Sequence, residues 1–297
     1  MDIMTKRIQE SEVVVTKKRS QLQEVWRRLK KNRLAIVGLA MLFILVFVAI
    51  FAEVIAPYPY DKQSYSELMK APSVEHLAGT DEFGRDILSR IIYGSRISLR
   101  IGFISLSAGA LVGCILGAIA GYFGGVVDNL IMRVCDILYG IPRVVLAIAI
   151  ASTLGAGITS ALIAVAVSSV PDFARIVRAA TMTVRDQEYI EAARAIGAKT
   201  GRILWVHIFP NILAPIIVQA TIGIGKAILL CASLSFLGLG IQPPVPEWGA
   251  MLSSARTYMR DNPYMVIAPG LAIMLTVMAL NLFGDGLRDA LDPKLKK

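Results

Sequence analysis

Lys226 sits near the middle of the apolar run 208–239, where an ammonium group costs roughly 2.5–3.5 kcal/mol to insert into a membrane. A cation so placed has two uses: it lines a water-filled path and attracts a carboxylate, or it pairs with an acid on a neighbouring chain. Gly225-Lys226 is also the nearest approach to a phosphate-binding loop, which needs Gly, four residues and then Gly-Lys-Ser/Thr. Ala220 and Ala227 stand where the first glycine and the hydroxyl are required, so ATP binding is excluded there. The histidines, His76 and His207, fall in segments read below as lying on opposite sides of a membrane, so they cannot share a metal. Cys114, Cys135 and Cys231 are odd in number and lie in or beside apolar stretches, without ligand or disulfide spacing. They read as packing residues. The serines within apolar runs have no placed base beside them and suit helix packing. Neither a catalytic constellation nor a metal site emerges.

These residues are carried by a chain for which the bilayer is the solvent. Its 297 residues are 55% hydrophobic and 18% charged, with a mean hydropathy of +0.62, more apolar than a water-soluble domain of this length can cover. A helix needs about 20 apolar residues to cross the hydrocarbon core. The run 34–55 provides a first span, which follows a long basic leader and is too long for a cleaved signal peptide, so it should stay as an anchor. The second, 101–123, carries Gly102, Gly109, Gly113, Gly117 and Gly121, small residues at spacings that let helices approach closely. The third is interrupted by Asp128, Arg133, Asp136 and Arg143 before the apolar run 144–154, with Pro142 marking a bend. The fourth starts at Ile158 and passes Pro171, the fifth is 208–239 and the sixth 264–283.

The net charge of +9 raises the question of nucleic acid, but the Lys and Arg clusters flank apolar spans and serve orientation instead. Ten basic residues against four acids up to Arg33, and six against three in 173–206, place those segments in the cytoplasm with both termini. The loops 57–100 and 240–262 are charge-balanced and face outward. In the first of them Ile87, Leu88, Ile91 and Ile92 share one helical face, and Arg85, Asp86, Ser89 and Arg90 another, predicting a short interfacial helix. In the second, Pro243, Pro244 and Pro246 bar regular helix before an amphipathic stretch expected to fold over the outer mouth.

Between spans four and five, DQEYIEAARAIGAKTGRILWVHIFPN is too polar for lipid and too helix-prone for a loose linker. Two short helices are expected. Asp186 can cap the first, whose face is Tyr189, Ile190, Ala193 and Ile196, and Gly197 is placed to end it. A second turn, 202–207, meets Pro210 at the start of span five. Ala192, Ala193 and Ala195 keep the first helix slim enough to dock in a partner's groove. Read from composition alone, the same segment is equally an end-cap of two membrane helices with no partner.

The pattern Glu191-Ala192-Ala193, three residues, Gly197, nine residues, then His207-Ile208-Phe209-Pro210 resembles the EAA loop of ABC importer membrane subunits. It departs in having His207 for the family's Ile and Phe209 for its Leu. The His is similar to the peptide-importer branch. GTDEFGRDILSRIIYGSRISL (79–99), SFLGLGIQPPVPEWGAML (235–252) and NLFGDGLRDALDPKLK (281–296) likewise resemble dipeptide and oligopeptide permease C subunits, whose wording nickel permeases share.

The resemblance implies an all-α polytopic fold of the type I ABC importer class, with six transmembrane helices and a cytoplasmic coupling helix. Its parts would be a basic leader (1–33), a first transmembrane helix (34–56), an extracytoplasmic loop with a short amphipathic helix (57–96), a five-helix permease domain with the coupling loop 186–210 inside it (97–286) and a cytoplasmic tail (287–297). It implies import of di- or oligopeptides across the cytoplasmic membrane, or alternatively of nickel or a metal chelate. The ATPase-coupling residues would be Glu188, Glu191, Ala192, Ala193, Gly197, His207, Ile208 and Pro210, with Lys226 on the substrate path. The chain would bind no cofactor, ATP and Mg belonging to two ABC ATPase subunits. Its other partners would be a homologous permease B subunit and an extracytoplasmic substrate-binding protein. A self-contained secondary transporter would show paired repeats with broken helices, and an intramembrane enzyme a catalytic constellation within the spans; neither is evident.

Overall fold

The computed structural model describes residues 21–291, in which the regular structure is helical but for one isolated β-bridge, Thr80 to Asp86. The leader before Gln21 and the tail after Leu291 lie outside the described residues. A short helix, α1 (Gln21–Leu29), precedes α2 (Arg33–Ile50), which Asn32 caps by accepting from the Ala35 amide. The first span breaks at Phe51, and one further turn, Ala52–Ile55, completes it. Then come α3 (Ile87–Phe123), α4 (Gly125–Gly140), α5 (Arg143–Leu154) and α6 (Ile158–Arg185). After the short α7 (Glu188–Ala195) follow α8 (Leu213–Phe236), α9 (Trp248–Ala255) and α10 (Tyr264–Leu291). Among the described residues five helical runs are long and apolar enough to cross a membrane, or six if α4 and α5, which bend by 93° at Ile141-Pro142, are taken as one span. We call the end of the bundle holding α7 the lower end and the opposite one the upper.

The central seam is α3 on α6. Gly109, Gly113, Gly117 and Gly121 recur every fourth residue and form one stripe. A Cβ at any of them would lie less than 3.0 Å from α6, meeting the carbonyls of Ala166, Val170, Ala174 and Arg178 in turn. The two backbones can approach this closely only because the stripe lacks side chains. Three Arg–Asp ion pairs then tie the bent span to α6: Asp128 accepts from Arg178 at 2.5 and 2.6 Å, Asp136 from Arg175 at 2.6 Å, and Arg143 pairs with Asp172. This places three of the four charges that interrupt the third span, Arg133 remaining exposed: two acids on α4 face arginines of α6, and the third pair runs in the reverse sense.

The amphipathic segment at 85–96 is not a separate interfacial helix. It is the first part of the 37-residue α3, and its charged face does not meet water: Arg85, Asp86, Ser89 and Arg90 are all buried under the loop 57–84. Burial is affordable because each charge is answered. Asp81 Oδ2 holds Arg85 Nε at 2.6 Å and Arg90 Nε at 3.5 Å, while its Oδ1 takes the Phe83 and Arg85 amides at 2.9 Å. Asp86 caps α3 through the Ser89 amide and meets His76 Nδ1 at 2.9 Å. The amphipathic stretch of the second loop forms α9, whose Trp248 is fully buried and donates to the Ile91 carbonyl at 3.1 Å. Spans five and six are also displaced from expectation. The α-helix of the fifth ends at Phe236, and the sixth continues to Leu291.

Candidate functional site

Helix α7 stands at the lower end between the feet of α6 and α8. Ile190 is buried and joins Val177, Ile203, Ile208 and Ile212 in one aliphatic cluster, and Ala193 on the same helix is buried as well. Each fully buried aliphatic side chain is worth about 1.5–3 kcal/mol, so α7 is fixed to both neighbouring spans. The expected face holds for Ile190 and Ala193 only, since Tyr189 is 45% and Ile196 86% exposed. Those two turn outward with Glu188, Glu191 and Ala192. Neither Glu188 nor Glu191 has an ion-pair partner among the described residues.

Asp186 does not cap α7. It ends α6, and its carboxylate takes Arg185 Nε at 3.0 Å, while the cap residue of α7 is Gln187, whose side chain donates back to the Thr183 carbonyl and makes no capping bond. The other end is well closed. Gly197 has φ +81°, its amide donates to the Arg194 carbonyl at 2.9 Å and the Ala198 amide donates to the Ala193 carbonyl at 3.0 Å, the paired bonds of a Schellman stop. Arg194 lies over the Tyr122 ring at 5.2 Å, and Arg185 donates to the Gly121 carbonyl at 2.9 Å, so the foot of α3 is attached as well.

The chain enters span five without a break: one α turn (Thr200–Arg202), a π turn (Ile203–Ile208) and a 3-10 turn (Phe209–Ile212) lead into α8. Pro210 is accepted at the head of the 3-10 turn. His207 is half-buried, with its carbonyl taken by the Asn211 amide group at 2.6 Å, and Ile208 belongs to the aliphatic cluster. Thus Ala193 and Ile208 face inward, whereas Glu188, Glu191, Ala192, Gly197 and Pro210 lie on the open surface.

Lys226 is remote from α7 and faces a cavity of about 460 Å³ between α3, α5, α6 and α8. Its ammonium group has no partner among the described residues. Around the cavity stand Tyr139, Gln219 and the Arg143–Asp172 pair, with Arg175 stacked 4.0 Å over the Tyr139 ring. Sequence reasoning found Lys226 and missed the rest, for which only part of the signal is local. Residues 172, 175 and 178 recur at every third position and lie along one helical face, while 128 and 136 are about two helical turns apart on α4 and 143 begins α5 beyond the bend.

No group of three His, Cys, Asp or Glu able to hold a metal occurs among the described residues, and His76 and His207 lie at opposite ends of the bundle. The three cysteines are free; Cys135 and Cys231 are buried and Cys114 partly so.

Residues 113–297 match the family of binding-protein-dependent transport system inner membrane components, and 20–72 match the N-terminal transmembrane domain of oligopeptide transport permease C. This chain is an ABC importer permease. Within that family it is 50% identical over 274 residues to the dipeptide transport system permease protein DppC of Alkalihalophilus pseudofirmus, covering 92% of this chain and 90% of the relative. It is 46% identical over 279 residues to the glutathione transport system permease protein GsiD of Pectobacterium atrosepticum, covering 94% and 93%. The permease fold is also that of the inward-facing MetNI methionine ABC transporter, with a TM-score of 0.57 at 20% identity over 69% of this chain and 98% of that one.

Proposed function

We propose that this permease carries di- or oligopeptides inward across the cytoplasmic membrane and that α7 receives the driving force from a separate ATPase. The observation that supports coupling is the division of α7 into two faces. One is buried and locked to the spans by Ile190, and the other offers Glu188, Glu191, Tyr189 and Ile196 to a partner. Force on the outer face passes through the aliphatic cluster to α6 and α8 together, and through Arg185 and Arg194 to the foot of α3. Closure of the ATPase dimer would then rock the spans around the cavity.

In this reading the chain hydrolyses nothing itself. ATP and Mg sit on two ATPase subunits, a homologous B-type permease completes the membrane unit, and an extracytoplasmic binding protein delivers the cargo to the upper end. Both termini and α7 lie in the cytoplasm. The glutathione permease relatives favour a second cargo, itself a small peptide. Gly197→Asp tests the coupling. Open space surrounds Gly197, so only its positive φ opposes a side chain, and the complex should assemble while ATP hydrolysis no longer responds to loaded binding protein. Normal stimulation in that variant would contradict the assignment.

A further inference from the structure

The cavity beside Lys226 has a charge balance that selects its occupant. Arg143 and Asp172 answer each other across the α5–α6 seam, and Arg175 is held by Asp136 at 2.6 Å. The ammonium of Lys226 is left as the unanswered charge on the cavity wall among the described residues. A volume of about 460 Å³ lies within the roughly 300–1,000 Å³ of small-ligand sites. Tyr139 and Gln219 add neutral hydrogen-bonding groups, while Leu106 and Phe173 supply apolar wall. A lone cation at mid-span is most stable when an anion visits it.

We propose that Lys226 is a specificity-determining residue of the translocation path, where it receives the terminal carboxylate of a small peptide. The inference rests on the peptide reading above. It assigns the carboxylate terminus, rather than the side chains, as the feature the membrane path recognises. Side-chain tolerance follows, because the remaining wall is apolar or neutral.

The test uses the assembled transporter in proteoliposomes with two forms of one dipeptide, the free acid and the C-terminal amide, each supplied on saturated binding protein. The unaltered complex should import the acid faster than the amide. Lys226→Met should lower uptake of the acid about tenfold and leave the amide within twofold, and Lys226→Arg should keep the preference. An equal loss for both forms, or no loss for the acid, overturns the proposal and points to Lys226 pairing with an acid of the partner permease. An unaltered complex that imports neither form overturns the peptide reading and this inference with it. Should Lys226→Met not assemble, Gln219→Cys in the otherwise unchanged chain gives a second readout, taken above the background of the three native cysteines. The free acid should slow its modification by a thiol reagent and the amide should not; equal effects overturn the proposal.

Discussion

The two ends of this permease treat charge in opposite ways. At the upper end Asp81, Arg85, Asp86, Arg90 and Glu247 are all turned inward and nine-tenths or more buried. At the lower end the charges of α7 point outward and the buried contacts are aliphatic. An inward charge network answers itself and fixes a shape, whereas outward carboxylates without partners leave a surface whose complement is elsewhere. The same residue types thus mean structure at one end and, on the proposed function, docking at the other.

The sharpest way to break the contrast is Asp81→Ala. It removes the carboxylate that Arg85 and Arg90 share and leaves Arg85 only the longer contact to Glu82 at 3.7 Å, and removing one partner of a buried ion pair costs about 3–5 kcal/mol. The expected result is a large drop in the thermal midpoint of the detergent-solubilised permease. Ile190→Ala should cost about 2–5 kcal/mol locally, loosening α7 from the spans. Transport should fall steeply while the upper end keeps its protection in hydrogen exchange.

A smaller effect separates the ends by pH. Burial holds the Glu247 carboxyl above its usual range, and the Gly249 and Ala250 amides offset this only in part. The folded state therefore binds this proton more tightly than the unfolded chain. The resulting stabilisation is fully present below the ordinary value of 4.5 and is lost as pH rises through the raised one. Melting curves across that window should show the midpoint falling with pH, and Glu247→Gln should flatten the trend. Smallest of all is Glu191→Ala, expected to move stability by no more than about 0.5 kcal/mol, as for other exposed positions. Only substrate-stimulated ATP hydrolysis should register it; a matching loss of stability would place Glu191 with the self-answering charges of the other end.

The spans were legible because their signals are local: apolar length, the glycine stripe and Pro142 each act within one helix. The stop at Gly197 was legible for the same reason. The face of 85–96 was misread because amphipathicity reports that two faces differ, not what covers them, and here the cover comes from the loop 57–84. Asp186 failed as a cap because α6 runs on to Arg185 and Asp186 closes it, which leaves Gln187 in the capping position. Lys226 could be singled out from sequence, but the Arg143–Asp172 pair on the same cavity depends on a crossing between helices that no local pattern contains.

The π turn at Ile203–Ile208 bears on chain length. A π turn holds one residue more than an α turn, so removing Val206 would leave enough chain for ordinary helix. The joint would survive, but α7 would be turned about 100° around the axis of α8, carrying Glu188 and Glu191 off their bearing. An insertion or deletion scan through 200–212 should therefore find a segment that folds at several lengths and works at one, its surplus residue acting as the setting screw of the aim.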